Sequence, residues 1–282
     1  MSAAAFPYDE TRPRSQRADG ALRIAFRRRE ERSVLAELYQ RGCLKARFPR
    51  PESAAWPEAL LLNVSGGVAG GDHLETEIAL GENTRAILAS PAAERFYRAL
   101  ARDDPARVST TITLAPGAHV EWLPQESILF NACALTRQTD VTLAAGAVFL
   151  GVEMLVFGRA AMGERLHAGD LRDRFRLFRN GRLQLQEMTR LNGDIAARLA
   201  GRATGAGAGA TALLVYAAAA AGARREALRD ALAGVEAGVS LVLPDLLIAR
   251  ILAPDTRGLR RAVMAGLHVL RDRRRMPRVW QG

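Results

Sequence analysis

Leu60-Leu61-Leu62-Asn63-Val64-Ser65-Gly66-Gly67-Val68-Ala69-Gly70-Gly71-Asp72 is the stretch on which the reading of this chain turns. Residues 60–64 form an apolar run of strand length, and two glycine pairs and an acid follow it. Such a run reads as a buried strand that delivers the backbone into a double bend, which Gly66, Gly67, Gly70 and Gly71 allow it to make. Asp72 stands at the rim of the bend, where a carboxylate caps backbone N–H groups or holds a cation. A phosphate-cradling loop fits poorly. No Gly-Lys-Ser/Thr follows, and the glycine spacing is not that of a dinucleotide fingerprint.

Outward from this corner the chain reads as short strands separated by turns. Alternation is visible in residues 22–26, 108–114 and 166–178, the last with Phe175 and Leu177 on one face. A faint repeat runs through Ile78-Ala79-Leu80-Gly81, Ile112-Thr113-Leu114-Ala115-Pro116-Gly117 and Val141-Thr142-Leu143-Ala144-Ala145-Gly146. Its glycines are 36 and 29 residues apart, which suits successive rungs or long hairpins but not a strict solenoid. Helical signals gather towards the C-terminus. Residues 223–233 read as one amphipathic helix, and residues 256–271 as another, capped by Thr256 and followed by Pro277. Between them residues 246–252 read as a buried strand.

The fold class that follows is mainly β, a layered β-helix-like core with a few helices on one face or end. The length of 282 residues is ample for a core. Residues 1–18 are expected to form a flexible tail, and residues 19–282 a single domain. The polar N-terminus is not a signal peptide. Residues 203–223 carry no charge, yet they are mostly alanine and glycine. They read as a glycine-rich loop entering a core strand at residues 213–216, not as a membrane span. A cytoplasmic protein is expected.

The net charge of +10 favours acidic partners and steered encounter. Its arginines are scattered. The two clusters, Arg27-Arg28-Arg29 and residues 271–275, lack the interleaved aromatics of a base-reading surface, so no nucleic-acid partner is expected. Cys43 and Cys133 lack metal-ligand spacing and read as free thiols. The four histidines show no metalloprotease pattern, and no nucleophile elbow occurs. No catalytic set can be nominated, and no tightly bound cofactor is implied.

Carboxylates recur instead: Asp72, Glu126 after Pro124-Gln125, Glu153 in an apolar run, and Glu164 after Gly163. A charge in Glu153's position must face water, pair with Arg159 or a neighbour, or line a polar passage. In a passage, scattered oxygen ligands would hand on a divalent cation, whereas a His/Cys cage would trap it. Phe96, Tyr97, Arg98 and Trp280 are candidates for an interaction surface, with Phe96 and Tyr97 equally readable as core. Arg159 and Glu164 read as an ion pair closing a loop.

Taken in order, residues 60–72, Pro91-Ala92-Ala93-Glu94-Arg95-Phe96-Tyr97-Arg98, Leu123-Pro124-Gln125-Glu126-Ser127-Ile128-Leu129-Phe130, Phe157-Gly158-Arg159-Ala160-Ala161-Met162-Gly163-Glu164 and Arg273-Arg274-Arg275-Met276-Pro277-Arg278-Val279-Trp280 resemble the UreD (UreH) urease accessory proteins. The resemblance covers residues 22–280. After Arg98, Ala99-Leu100 stand where the pattern has a small polar residue. The resemblance implies a β-helical, two-layered core and a non-enzymatic scaffold. Such a scaffold binds the urease apoprotein, recruits UreF and the GTPase UreG, and serves nickel insertion with nickel in transit only. Asp72, Glu153 and Glu164 are then candidates for the nickel route. The competing reading is a β-helical hydrolase or lyase acting on an anionic substrate, with Asp72 and Glu126 as acid and base.

Overall fold

The three repeat units are neighbouring rungs. In the computed structural model, which describes residues 16–50, 56–100, 103–159 and 162–281, Ile78 pairs with Ile112 and Ile112 with Val141, all in parallel strands. Their turns stack as well. Asn83 N–H donates to Pro116 O (3.0 Å), and Gly117 N–H donates to Ala145 O (3.1 Å), so each turn binds the next. At Gly117, whose φ is +67°, a Cβ would meet Asn83 Oδ1 at 2.3 Å. The glycine is required by a turn that lies against its neighbour.

The rungs form two layers. Among the described residues the first is a seven-stranded sheet of β1 (Asp19–Arg29), β2 (Arg32–Gly42), β5 (His73–Leu80), β8 (Ala106–Leu114), β11 (Cys133–Leu143), β14 (Ala168–Arg179) and β15 (Arg182–Asp194), in the order β15-β14-β11-β8-β5-β1-β2. The second is built on β3 (Leu44–Arg47), β4 (Glu58–Asn63), β6 (Arg85–Ala89), β9 (His119–Leu123), β12 (Val148–Arg159), β16 (Ala210–Ala217), β17 (Glu236–Leu243) and β18 (Leu246–Ala253), in the order β17-β18-β16-β12-β9-β6-β4-β3. The short strands β7 (Glu94–Phe96) and β10 (Ser127–Leu129) extend it alongside the end of β12, and β13 (Glu164–Arg165) pairs with β12 too.

Parallel pairing runs through β1-β5-β8-β11-β14 in the first sheet and β4-β6-β9-β12 in the second. The mainly β, two-layered fold with few helices is therefore the observed one. Alternating side chains of the facing sheets fill the space between them, among them Ile78, Ile112, Val141, Leu177 and Phe149.

A second core lies on the far side of the longer sheet, under α2 (Arg225–Ala231) and α3 (Thr256–Leu270). A short helix, α1 (Ile195–Ala200), follows β15. Helix α3 buries Leu259, Val263, Leu267 and Leu270, the stripe its periodicity predicts. Its cap differs from expectation. Asp255, in extended conformation, accepts from Gly258 N–H through Oδ1 (2.7 Å), and Thr256 is already helical. Helix α2 is shorter than residues 223–233, because its first turn, Gly222–Arg224, is a 3₁₀ turn. Residues 213–216 lie in β16 and residues 246–252 in β18, as expected. Of the expected tail, residues 1–15 lie outside the described residues.

Candidate functional site

The glycine corner joins β4 to β5 at the edge opposite the stacked turns, beside the connections that lead into β8, β11 and β14. Both oxygens of buried Asp72 are engaged there. Oδ1 accepts from Ala18 N–H (2.8 Å) and Oδ2 from Ala69 N–H (2.8 Å), so this carboxylate caps the bend. Gly67 has φ +139°, and a Cβ on it would lie 2.3 Å from Tyr97 Cε2. Gly70 abuts Ala99, whose Cβ would be 2.8 Å away. Tyr97 Oη donates to Gly66 O (2.8 Å), and its ring meets Phe130 edge-on at 5.0 Å. Arg159 lies over the Phe130 ring, 4.2 Å from its centroid, and pairs with Glu164, whose Oε1 accepts from Asn131 N–H (3.2 Å).

Four of the five sequence motifs thus converge on one edge. Tyr97 serves the corner, Phe96 is core, and Arg98 is exposed, its backbone bridging to Cys133. Arg159 and Glu164 close their loop as expected; Ala160 and Ala161 lie outside the described residues.

The fifth motif is docked elsewhere. Trp280 is 1% exposed and its Nε1–H donates to Leu123 O (3.0 Å), so it anchors the C-terminal segment and is not an exposed contact. Gln125 Nε2 donates to Val279 O (2.8 Å), and Arg260 reaches the Glu126 carboxylate (3.3 Å). Glu126 is held by that ion pair and Asp72 by two backbone donors, so neither stands as a free acid or base. This geometry counts against the hydrolase reading.

One cleft lies at the corner, and two cavities lie deeper, between the sheets. A surface cleft of about 450 Å³ takes in Asp72, Cys43, Ser65 and Tyr97. An inner cavity of about 140 Å³ lies between the sheets, with Glu94 and Glu153 in its wall, and a second of about 100 Å³ has Glu153, Asp173 and Glu187. The two inner cavities share Thr139 and Glu153. Glu164 lines none of the three.

At the shared wall, Glu153 of the longer sheet meets Arg137 and Thr139 of β11. Arg137 Nη1 lies 3.0 Å from Glu153 Oε2 and donates to Ser127 Oγ (2.9 Å). Its Nε and Nη2 grip Asp173, the adjacent residue on β14, at 2.8 and 2.6 Å. Trp122 Nε1 (3.0 Å) and Thr139 Oγ1 (3.2 Å) donate to Glu153 Oε1. The expected arginine partner of Glu153 is therefore Arg137 and not Arg159, because β11 faces β12 across the core whereas Arg159 lies at the end of Glu153's own strand.

One guanidinium serves two carboxylates here. Burial pushes the Glu153 carboxyl above its usual range; the Arg137 charge opposes this and that of Asp173 adds to it. Burial likewise raises Glu94, against hydrogen bonds from Asn63 and from the Arg95 backbone. Burial alone would lower Arg137, but Asp173 and Glu153 outweigh it and raise it, so it stays charged.

Sequence reasoning did not nominate Arg137, Glu94, Asp173 or Glu187. For Arg137 a signal was present: alternation along β11 places it and Thr139 on the same face as Leu135 and Val141. Asp173 sits between Arg172 and Arg174 and reads as part of a solvated face. Among the described residues no group of three or more His, Cys, Asp or Glu side chains is placed to hold a metal ion. Asp72, Glu153 and Glu164 are not one cluster. Among the same residues no helix is long and apolar enough to cross a membrane.

A family model described as UreD urease accessory protein matches residues 18–281. The chain belongs to the UreD family. A UreD protein of Dinoroseobacter shibae is 42% identical over 275 residues, covering 97% of this chain and 95% of its own. One of Chelativorans sp. is 39% identical over 265 residues, 94% of each chain. "Urease accessory protein UreD 3" of a Bradyrhizobium strain is 45% identical over 186 residues, 66% of each chain. All five motifs quoted from the sequence lie within the UreD match.

Proposed function

We propose that this chain is a non-enzymatic scaffold for urease maturation: it binds the urease apoprotein and the accessory proteins UreF and UreG, and nickel passes through it on the way to the urease metallocentre. The observation that carries the nickel part is the pair of inner cavities that meet at Glu153. Carboxylates spaced along a route, with no cluster of three, suit a cation that must leave as readily as it enters. Nickel is cargo here and has no resident site. Membership of the UreD family supports the partner assignment. A cytoplasmic location follows from work on an intracellular apoenzyme.

The test is urease maturation in cells expressing a urease operon with this gene intact, deleted, or carrying Glu153→Gln or Asp72→Ala. Deletion is expected to leave assembled, nickel-poor, inactive urease. E153Q should lower nickel content while the protein still co-purifies with its partners. D72A should act through folding, because it strands two backbone donors at about 1–3 kcal/mol each. Normal nickel loading without the gene would end this reading, and the purified chain would then be assayed for hydrolysis.

A further inference from the structure

The junction of the two inner cavities is not an open neck. Arg137 is paired with the Glu153 that both cavities share, and the contacts of that guanidinium resemble a coordination shell: two oxygens of Asp173, one of Glu153 and the Ser127 hydroxyl, at 2.6–3.0 Å. The oxygens come from both sheets, Ser127 and Glu153 from one and Asp173 from the other. Every acceptor belongs to a side chain, so each can turn away without breaking a ladder. Arg137 lines the larger of the two cavities, so the guanidinium has space into which to withdraw, and the other cavity reaches its partners Glu153 and Asp173.

We propose that Arg137 is a resident cation that plugs the passage, and that its withdrawal exposes Glu153, Asp173, Ser127 and Thr139 as an oxygen-lined station for one divalent cation. The inference rests on the nickel-transit reading for its purpose, but its chemistry stands apart from it. A buried pair of ionised carboxylates is costly unless a positive charge compensates it. Either the guanidinium supplies that charge or an incoming dication does. The two cannot share the site, since their charges repel and they use the same oxygens. Passage through the junction is thus an exchange of one cation for another, and a free chain with Arg137 in place is closed to nickel. Oxygen donors alone bind such an ion weakly enough for release.

The experiment is titration of the purified full-length chain with nickel sulfate by calorimetry, backed by melting curves with and without nickel. Arg137→Met should gain one nickel ion per chain, bound at least tenfold more tightly than by the unsubstituted protein. Its melting temperature should rise with nickel, as ligand linkage requires. Adding Glu153→Gln to R137M should abolish both effects. Where R137M alone does not fold, the charge-balanced R137M/D173N keeps Glu153, the hydroxyls and an amide oxygen, and should bind nickel more weakly but still through Glu153. The proposal is overturned if neither variant takes up nickel, or if the uptake survives Glu153→Gln. Normal urease loading in the gene deletion would defeat the transit reading and leave this titration result untouched.

Discussion

Among the described residues two arginines are buried, Arg271 and Arg137, and they are buried differently. Arg271, at the end of α3, donates to Glu121 Oε2 (2.8 Å), to the backbone carbonyls of Arg274 and Arg275 (3.2 and 2.9 Å), and lies 3.0 Å from Met276 Sδ. Arg274 reaches the same Glu121, which is fully buried. Two of those acceptors are backbone, the Arg271 and Glu121 side chains are fully buried, and the cluster clamps the C-terminal segment onto the longer sheet. Arg137 has only side-chain acceptors and a cavity beside it. The same ion-pair chemistry thus yields a fixed clamp where backbone and packing immobilise it, and a movable group where they do not.

The largest expected effect tests that contrast directly. Arg271→Met should cost about 3–5 kcal/mol, because it leaves one oxygen of the fully buried Glu121 without its donor, with only the partly exposed Arg274 still paired to the other, and frees two buried backbone carbonyls. Arg137→Met should cost less than half as much, because water can enter the adjoining cavities and solvate Glu153 and Asp173. Urea denaturation of both variants measures the difference, and equal costs would erase the distinction.

The clamp also carries a pH signature. His119 packs edge-on against Trp56 at 4.6 Å, and burial, helped by the charges of Arg274 and Arg85, lowers its pKa to about 3. The folded protein keeps this ring neutral while the unfolded chain protonates it below about pH 6.5. Stability present above that pH is therefore lost as pH falls towards 3. The loss is about 2 kcal/mol between pH 7.5 and 5, and Asn in place of His119 should remove that part of the slope in a pH series of denaturation curves.

The smallest effect lies at the other end of α3. Asp255→Ala should cost about 1 kcal/mol as a lost cap, and Thr256→Ala almost nothing. A reversed order would mean that the helix carrying Arg271 is anchored otherwise than through Asp255.

How much of this was legible depended on whether the signal was local. The rungs were visible because each places a branched apolar side chain and a turn glycine at a similar phase, as in residues 78–81, 112–117 and 141–146. Strand β18 and the apolar stripe of α3 were legible for the same reason. The Asp255 cap was missed by one residue, since Asp255 and Thr256 are both good caps and only backbone conformation separates them. The junction was half legible. Glu153 stood out as a charge in an apolar run, but its partner lies on a facing strand, and nothing in the order of residues says which strands face each other. Trp280 read as a surface anchor because aromatics and arginine are the residue types that anchor interfaces. It is buried because Leu123 O and a packed C-terminal segment receive it.

The two layers change character at both ends. Parallel rungs give way to an antiparallel partner at β2 and β3 on one side, and at β15 and β16 on the other. A stack of identical parallel rungs has no intrinsic length, and its bare ends are templates on which another copy could add and a fibre could grow. The reversed terminal strands offer a different hydrogen-bonding pattern, and β2 and β15 are largely exposed and carry several arginines and acids. They act as stoppers. A chain that lost its first hairpin would be expected to leave β5 as a raw edge and to polymerise before it could meet any partner.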